Sequence, residues 1–104
     1  MKTLEIYEEL TIQWSEDRGI IKNSTDKIQT LKLVSEVGEL ADNVNKGRDV
    51  RDDIGDCLVC LTNIAKIRGL TLAQCWNVAY SDIKDRKGFL NKDGVFIKES
   101  DSEK

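Results

Sequence analysis

The sequence predicts an all-α fold, a four-helix bundle followed by a short C-terminal hairpin or extended arm. Three observations support this prediction: apolar residues recur at spacings of three and four along four segments, proline is absent, and glycines stand where the segments end. Short connections between helices favour antiparallel neighbours, which is the arrangement of a bundle.

The first two helices are marked by caps and by glycine. A first helix is predicted over residues 3–17, capped by Thr3, and residues 20–25 are expected to form a loop. A second helix is predicted over residues 26–46, with Gly47 after it as a left-handed cap. The apolar positions expected to face the core are Leu4, Tyr7, Leu10 and Trp14 on the first helix and Val34, Val37, Leu40, Ala41 and Val44 on the second.

The third and fourth helices follow the same logic. A third helix is predicted over residues 49–68, capped by Asp49 and ended by Gly69. Residues 71–74 form a capping-box pattern that opens a fourth helix, which is expected to stop near Gly88. The expected core positions are Val50, Ile54, Cys57, Leu58, Leu61, Ile64 and Ala65 on the third helix and Leu72, Trp76, Ala79 and Ile83 on the fourth.

The C-terminal region has a different pattern. Two short apolar runs, residues 89–90 and 95–97, flank Asn91-Lys92-Asp93-Gly94, and the Asp-Gly step predicts the turn of a hairpin or extended arm. The charged residues 98–104 are expected to be a frayed tail. A chain of 104 residues is long enough for one modest core, so a single domain over residues 1–104 is predicted.

Composition limits the classes of function. With 39% hydrophobic and 34% charged residues the chain is typical of a soluble globular protein, and a net charge of −3 argues against binding to duplex nucleic acid. No apolar run approaches the ~20 residues of a membrane span, so we expect no membrane partner and a cytoplasmic location. A small helical chain often gains burial by self-association, so a homodimer or homotetramer is expected.

Cysteine and histidine usage narrows the chemistry further. The three cysteines are an odd number in a chain without secretory features, so a disulfide framework is not expected. Cys57 and Cys60 have the spacing of redox and zinc motifs, but they lie in the middle of a predicted helix, where core packing is the better interpretation. Histidine is absent, which excludes histidine-based triads and acid–base catalysis.

Two short segments repeat the pattern acid, aliphatic, glycine, acid. They are Glu36-Val37-Gly38-Glu39 and Asp53-Ile54-Gly55-Asp56, on consecutive predicted helices. Residues three apart share a helix face. If the chain reverses at residues 46–48, Glu39 and Asp56 both lie roughly 12 to 14 Å from the turn, so the four carboxylates form a cluster. Such a cluster needs a cation, and Mg²⁺, with Mn²⁺ as a substitute, prefers oxygen ligands.

The glycines and the position of Asp53 bear on this interpretation. A glycine inside a helix costs about 1 kcal/mol relative to alanine, so Gly38 and Gly55 suggest a close approach of backbones. The alternative is that the acids decorate solvated faces or form structural ion pairs, and Asp53 would also suit the start of its helix. Asp53 nevertheless falls on the apolar arc that holds Val50 and Cys60, where a carboxylate requires compensation.

These motifs make the chain resemble the MazG-like nucleoside triphosphate pyrophosphohydrolases of the all-α NTP pyrophosphatase superfamily. The resemblance spans most of the sequence. It rests on Glu36-x-x-Glu39 and Asp53-x-x-Asp56, with support from residues 13–15 and from Ala79-Tyr80-x-Asp82-Ile83-x-x-Arg86-Lys87-Gly88. The sequence departs from the common pattern at Asp53, where many relatives have glutamate, and at Ser35, where relatives often have another acid.

The resemblance implies hydrolysis of a (deoxy)nucleoside triphosphate to the monophosphate and pyrophosphate. It implies that Glu36, Glu39, Asp53 and Asp56 bind Mg²⁺, and that one of the two glutamates orients or deprotonates the attacking water. It also suggests substrate contacts. Lys84 and Arg86 would bind phosphates, although cations near a helix end also complement its dipole. Trp14 would stack on a base, whereas Trp76 is expected to be structural. Lys32 and Arg51 lie close in sequence to the acid pairs, so they are expected to balance the charge of these acids and to contact the substrate.

Two alternatives stay open at this point. One is a non-catalytic helical binding module in which the acids hold a structural cation. The other is a specialised enzyme of the superfamily acting on dUTP, dCTP or phosphoribosyl-ATP. The sequence does not determine base and sugar specificity, the number of metals, or whether water attacks the α or β phosphorus.

Overall fold

The computed structural model describes residues 1–102, and side chains are described up to residue 100. Its helices and strands are α1 (Leu4–Asp17), α2 (Ile20–Asn23), α3 (Asp26–Asn45), α4 (Arg51–Ile67), α5 (Leu72–Ile83), β1 (Gly88–Leu90), β2 (Phe96–Lys98) and α6 (Glu99–Ser102). The predicted all-α fold with a small C-terminal hairpin is confirmed. The chain forms two compact units, Met1–Ala73 and Gln74–Lys104. That the whole chain is one domain stays a prediction.

The first unit is built on an antiparallel hairpin of α3 and α4, with α1 and α2 packed against α4. Gly47 has a φ of 67°, and the next amide, of Arg48, donates to the carbonyl of Asn43 at 2.9 Å. This left-handed step ends α3 and reverses the chain, as the sequence predicted. At the other end of the hairpin, Nη1 of Arg68 lies 3.2 Å from Oδ2 of Asp26.

The segment between the first two long helices differs from the prediction. Residues 20–25 were expected to form a loop, but residues 20–23 form the short helix α2. The preceding Gly19 has a φ of 74°, and its carbonyl accepts hydrogen bonds from both the backbone and the side-chain nitrogens of Asn23, at 2.9 Å each. A single asparagine thus closes one helical turn within the expected loop.

Two other helix ends also shift. The α4 helix begins at Arg51 and not at Asp49, because the Asp49 carboxylate accepts from the Arg51 amide at 3.0 Å in a side-chain turn ahead of the helix. The α5 helix ends at Ile83, five residues before the predicted end at Gly88. There the chain leaves the helix in a turn and Gly88 opens β1.

In the second unit, β1 and β2 form an antiparallel pair in which Phe89 lies opposite Ile97. The side chain of Asn91 accepts from the amides of Asp93 and Val95, and Gly94 has a φ of 81°, so the predicted turn is confirmed. The predicted frayed tail is wrong at its start, because Lys98 belongs to β2 and is followed by α6. The tail residues 103–104 lie outside the described residues.

The apolar faces predicted for the core lie largely on the outside of a single chain. Among the described residues, the fully buried apolar residues are Cys60 and Ala65. Val34, Val37 and Val44 on α3 are 64%, 48% and 57% exposed. The same correction applies to further predicted core residues, which are exposed: Leu4, Tyr7, Leu10 and Trp14 on α1, Ala41 on α3, Ile54, Leu58 and Leu61 on α4, and Trp76, Ala79 and Ile83 on α5. Helical periodicity identifies an apolar stripe but does not say whether the same chain covers it.

Within residues 1–102, every helix is too short or too polar to cross a membrane.

Candidate active site

Polar side chains line the contact between α3 and α4. Gln29, Glu36 and Asn43 recur every seven residues and therefore share one face of α3. Their partners on α4 include Asn63, whose Nδ2 donates to Gln29 at 3.1 Å, and Asp53, which accepts from Asn43. We call this contact the α3–α4 seam. Both ends of the seam are hydrogen-bonded, which leaves Glu36 at its centre.

Glu36 is the least compensated group of the seam. It is 7% exposed, and its Oε1 lies 3.2 Å from the Lys32 ammonium one helical turn earlier. Its other oxygen, Oε2, is buried and has no hydrogen-bond partner among the described residues. A buried carboxylate oxygen without a partner is costly, and a cation is the group that best satisfies it. The position therefore fits a metal.

Glu39 and Asp56 each lie within electrostatic reach of Glu36 and Asp53. The negative charge of Glu36 is the main cause that raises the pKa of Glu39, followed by desolvation, with a smaller contribution from the charge of Asp53. Desolvation raises the pKa of Asp56 first, followed by the charges of Asp52, Glu36 and Asp53. Glu36 and Asp53 are buried, Asp56 is half-buried and Glu39 is exposed, and the charges of the two acid pairs act on one another across the α3–α4 seam.

The cluster is not a complete coordination sphere. Among residues 1–102, no three or more cysteine, aspartate and glutamate side chains are grouped so that they could hold a metal ion. The unpaired oxygen of Glu36 and the mutual repulsion of the acids are nevertheless what a cation site requires. An exposed glutamate changes rotamer at little cost, so Glu39 can turn toward Glu36 when a cation neutralises the pair. The role of these four acids as metal ligands stays a prediction.

The cysteines near the acids fit the core-packing interpretation. Cys60 is buried and Cys57 is half-buried, and both are free thiols. Burial raises the pKa of each thiol, and the charge of Glu36 raises it further. A neutral thiol in this position packs as a small apolar group and is a weak nucleophile.

The basic residues near the acids have two different roles. Lys32 pairs with Glu36 and so offsets part of the cluster's charge, as predicted. Arg51 instead pairs with Asp49, because its Nε and Nη2 donate to that carboxylate at 2.9 and 2.6 Å, and Asp49 lies outside both acid pairs. Contact of Lys32 or Arg51 with the substrate stays a prediction. The pKa of the Asp49 carboxyl is lowered by these bonds.

The predicted phosphate contacts belong to the second unit. Nη2 of Arg86 lies 2.6 Å from Oδ2 of Asp82, four residues earlier on the chain, so its guanidinium already has a partner. Lys84 is exposed. Contact of these two residues with phosphate stays a prediction.

The two tryptophans expose much of their surface. Trp14 is 45% exposed, and the guanidinium carbon of Arg18 lies 4.3 Å from the centroid of its ring. One face of the ring is therefore covered by a cation of the same chain. Trp76 is 67% exposed, so the core role expected for it does not hold within a single chain.

The predicted role of the two helix glycines is wrong within a single chain. A Cβ atom built on Gly38 or on Gly55 meets nothing within 4 Å. Neither glycine therefore permits a close approach of α3 and α4. The space beside them is open.

Two hydrogen-bonding groups were missed by the sequence analysis. Asn43 holds Asp53, and Ser15 on α1 donates to Asn63 at 2.6 Å. The seven-residue recurrence of Gln29, Glu36 and Asn43 was the available signal for the first group. The partner of each amide depends on the register of α3 against α4, which periodicity alone does not give.

Comparison with known proteins identifies the family. The sequence model of a protein family, the MazG nucleotide pyrophosphohydrolase domain, matches residues 24–87 of this chain. The matched region is more than half of the chain and contains both acid pairs. The chain belongs to the MazG nucleotide pyrophosphohydrolase family. The predicted resemblance is confirmed.

A solved structure supports the MazG-like fold. The MazG-like pyrophosphohydrolase of cyanophage S-2L matches with a TM-score of 0.68 and 16% identity, and the match covers 94% of this chain and 98% of that one. That protein was solved bound to dGDP and three catalytic Mn²⁺ ions per active site. At this identity the match establishes the shared fold.

A second relative comes from another phage. An uncharacterized 18.2 kDa protein in the rep-hol intergenic region of Haemophilus phage HP1 is 43% identical over 56 residues, or 52% of this chain. The chain spans about a third of the length of that relative, 34%.

Proposed function

We propose that this MazG-family protein is a divalent-metal-dependent pyrophosphohydrolase that converts a (deoxy)nucleoside triphosphate to the monophosphate and pyrophosphate. The observation that carries the proposal is the buried, unpartnered Oε2 of Glu36, which lies near the charges of Glu39 and Asp56 in a chain of this family. The dGDP and Mn²⁺ of the cyanophage structure support a nucleotide substrate and a divalent metal. Mg²⁺ or Mn²⁺ would be held by Glu36, Glu39, Asp53 and Asp56.

The chemistry divides between the metal and the protein. Bound divalent cations neutralise the polyphosphate and make a coordinated water more acidic. The residues of the chain supply position and charge: Asp53 and Glu36 are buried and fixed by neighbours, whereas Glu39 reaches solvent. A positioned polyphosphate needs little further covalent chemistry from the protein.

We assign the water-activating role to Glu39. It is exposed beside the buried Glu36, so its carboxylate can contact a water, whereas Oε1 of Glu36 is engaged by Lys32. In the proposed step, a water oxygen bonds to phosphorus, its proton passes to a Glu39 oxygen, and the phosphoanhydride bond to the pyrophosphate leaving group breaks. Substrate contacts from Trp14, Lys84 and Arg86 are part of the same proposal.

The same proposal includes a homo-oligomer in the cytoplasm, where nucleoside triphosphates are available. Few apolar side chains are buried in the single chain, and apolar stripes on α1, α3, α4 and α5 remain exposed. Exposed apolar surface of this extent is typical of interaction surfaces. A second copy of the chain would cover it.

Pyrophosphate release from a panel of ribo- and deoxynucleoside triphosphates with Mg²⁺ or Mn²⁺ tests the function. Glu39→Gln is expected to lower kcat by about 10²-fold or more, since a positioned proton acceptor contributes 10²- to 10⁴-fold. Glu9→Gln, which changes an exposed glutamate on α1, is the matched control and should keep the activity. If the folded wild type turns over no nucleotide with either metal, the proposal is wrong and the binding-module alternative is favoured.

A further inference from the structure

Asn43 is the side-chain partner of the buried Asp53 carboxylate. Its Nδ2 lies 3.1 Å from Oδ1 and 3.0 Å from Oδ2 of Asp53, so one amide nitrogen contacts both carboxylate oxygens. Asp53 is 7% exposed and stands in the first turn of α4. Its orientation is therefore set by a residue on the opposite helix.

The turn between the helices fixes the Asn43 amide. Nη1 of Arg48 lies 3.5 Å from Oδ1 of Asn43, and the Arg48 backbone amide donates to the Asn43 carbonyl at 2.9 Å. With the amide oxygen toward a guanidinium and the nitrogen toward a carboxylate, only one of the two flipped orientations of the amide satisfies both neighbours. The left-handed Gly47 lies between Asn43 and Arg48 in this turn.

The chemistry of this contact suits a metal ligand. An asparagine donates a hydrogen bond without adding positive charge, so Asp53 keeps its full negative charge. Each carboxylate oxygen has two lone pairs, and one amide hydrogen bond leaves the other available. Glu36 differs, because one of its oxygens is paired with the Lys32 cation.

We infer that Asn43 is a positioning residue that holds the Asp53 carboxylate in the orientation in which it binds the divalent metal. This inference rests on the proposed function, since it requires Asp53 to be a ligand. Partners in the outer shell of a metal site fix the direction of the ligand, and their removal typically weakens metal binding by 10- to 100-fold.

The test is a calorimetric titration of the full chain with Mn²⁺ in the absence of nucleotide. Asn43→Leu is expected to weaken Mn²⁺ binding by about tenfold or more. Asn45→Leu is the matched control, because Asn45 is an exposed asparagine two residues later on the same helix, and it should bind Mn²⁺ as the wild type does. If Asn43→Leu does not fold, as judged by circular dichroism, Asn43→Ala is measured in its place.

A double-mutant cycle separates positioning from a general effect on the fold. If Asn43 acts through Asp53, then adding Asn43→Leu to the Asp53→Asn variant should cause no further loss of Mn²⁺ affinity. Equal Mn²⁺ affinities of Asn43→Leu and Asn45→Leu, or effects of Asn43→Leu and Asp53→Asn that simply add, would overturn the inference while leaving the proposed function intact. A wild type that binds no Mn²⁺ and releases no pyrophosphate would overturn both.

Discussion

The hydroxyl of Ser15 on α1 donates to the side-chain oxygen of Asn63 on α4 at 2.6 Å, and Ser15 has no exposed surface. Nδ2 of Asn63 continues the chain of hydrogen bonds to Gln29 on α3, and Gln29 donates to Ser24 at 3.1 Å. Three helices are thus joined by polar groups in a unit that buries few apolar ones. This chain of bonds fixes how α1 lies against the α3–α4 hairpin.

Removal of the Ser15 hydroxyl should therefore destabilise the fold. Ser15→Ala leaves the buried oxygen of Asn63 without its donor, which is expected to lower the free energy of unfolding by about 1–3 kcal/mol in urea titration. The exposed Ser35→Ala is the control and should change it by less than about 0.5 kcal/mol. Equal effects of the two substitutions would show that the bond contributes nothing to stability.

Stability should depend on both pH and metal. The pKa values of Glu39 and Asp56 are raised in the folded chain. Their contribution to stability is present below the ordinary values, 4.5 and 3.8, and is lost as the pH rises through the raised values. Mn²⁺ should relieve the repulsion, so we expect a larger increase in Tm on adding Mn²⁺ at pH 7.5 than at pH 4.5.

The control for this pH dependence is Glu39→Gln. This variant lacks one of the two carboxyl groups whose pKa is raised. It keeps Asp49, whose lowered pKa changes the stability with pH in the opposite direction. In EDTA, the Tm of Glu39→Gln should fall less between pH 4.5 and 7.5 than that of the wild type. A wild-type Tm that Mn²⁺ leaves unchanged at pH 7.5 would contradict the cation-site interpretation.

Self-association should depend on the exposed stripe of α3. Val34→Glu places a charge on a stripe that includes Val37 and Val44, and it is expected to reduce the mass measured by size-exclusion chromatography with light scattering to that of a monomer. Ile28→Glu adds the same charge at an exposed aliphatic residue of α3 outside that stripe and should leave the mass unchanged. A monomeric wild type would refute the proposed oligomer.

Replacing each of two glycines by alanine should change the free energy of unfolding in opposite directions. Gly55 lies inside α4 and a Cβ there meets nothing, so Gly55→Ala should raise the free energy of unfolding by about 0.5–1 kcal/mol. Gly47 has a φ of 67°, which strains any other residue, so Gly47→Ala should lower it by about 1 kcal/mol or more. Urea titrations of both variants provide the measurement. A loss of stability in Gly55→Ala would point to a contact with another copy.

Local signals gave most of the fold. Gly47 and Gly69 were placed after their helices because only a left-handed residue suits those positions, and both have positive φ values. The two acid pairs carried the resemblance to the family, and their spacing of three predicted that each pair shares a helix face. The boundary errors at Asp49 and Gly88 arose where side-chain turns and a strand competed with helix propensity.

What the sequence did not give depends on contacts between distant residues. Val37 was expected to be inside because it belongs to an apolar stripe, but the packed face of α3 is the polar one that carries Glu36. Asn43 is ten residues from Asp53, and only the register of the hairpin brings them together. The spacing of apolar residues determines neither the register of α3 against α4 nor which surface covers an apolar stripe.

The connection between α3 and α4 consists of residues 46–50, and it carries both the left-handed glycine and the arginine that contacts Asn43. One extra amino acid inserted in α4 between Asp53 and Asn63 would rotate Asp53 by about 100° and shift it by about 1.5 Å relative to the part of α4 that Asn63 holds against α3. Asp53 would then lose its hydrogen bond to the side-chain amide of Asn43. The number of residues between Asp53 and Asn63 thereby fixes which side chain of α4 meets Asn43, so an insertion there is expected to be tolerated only if another group takes over the contact.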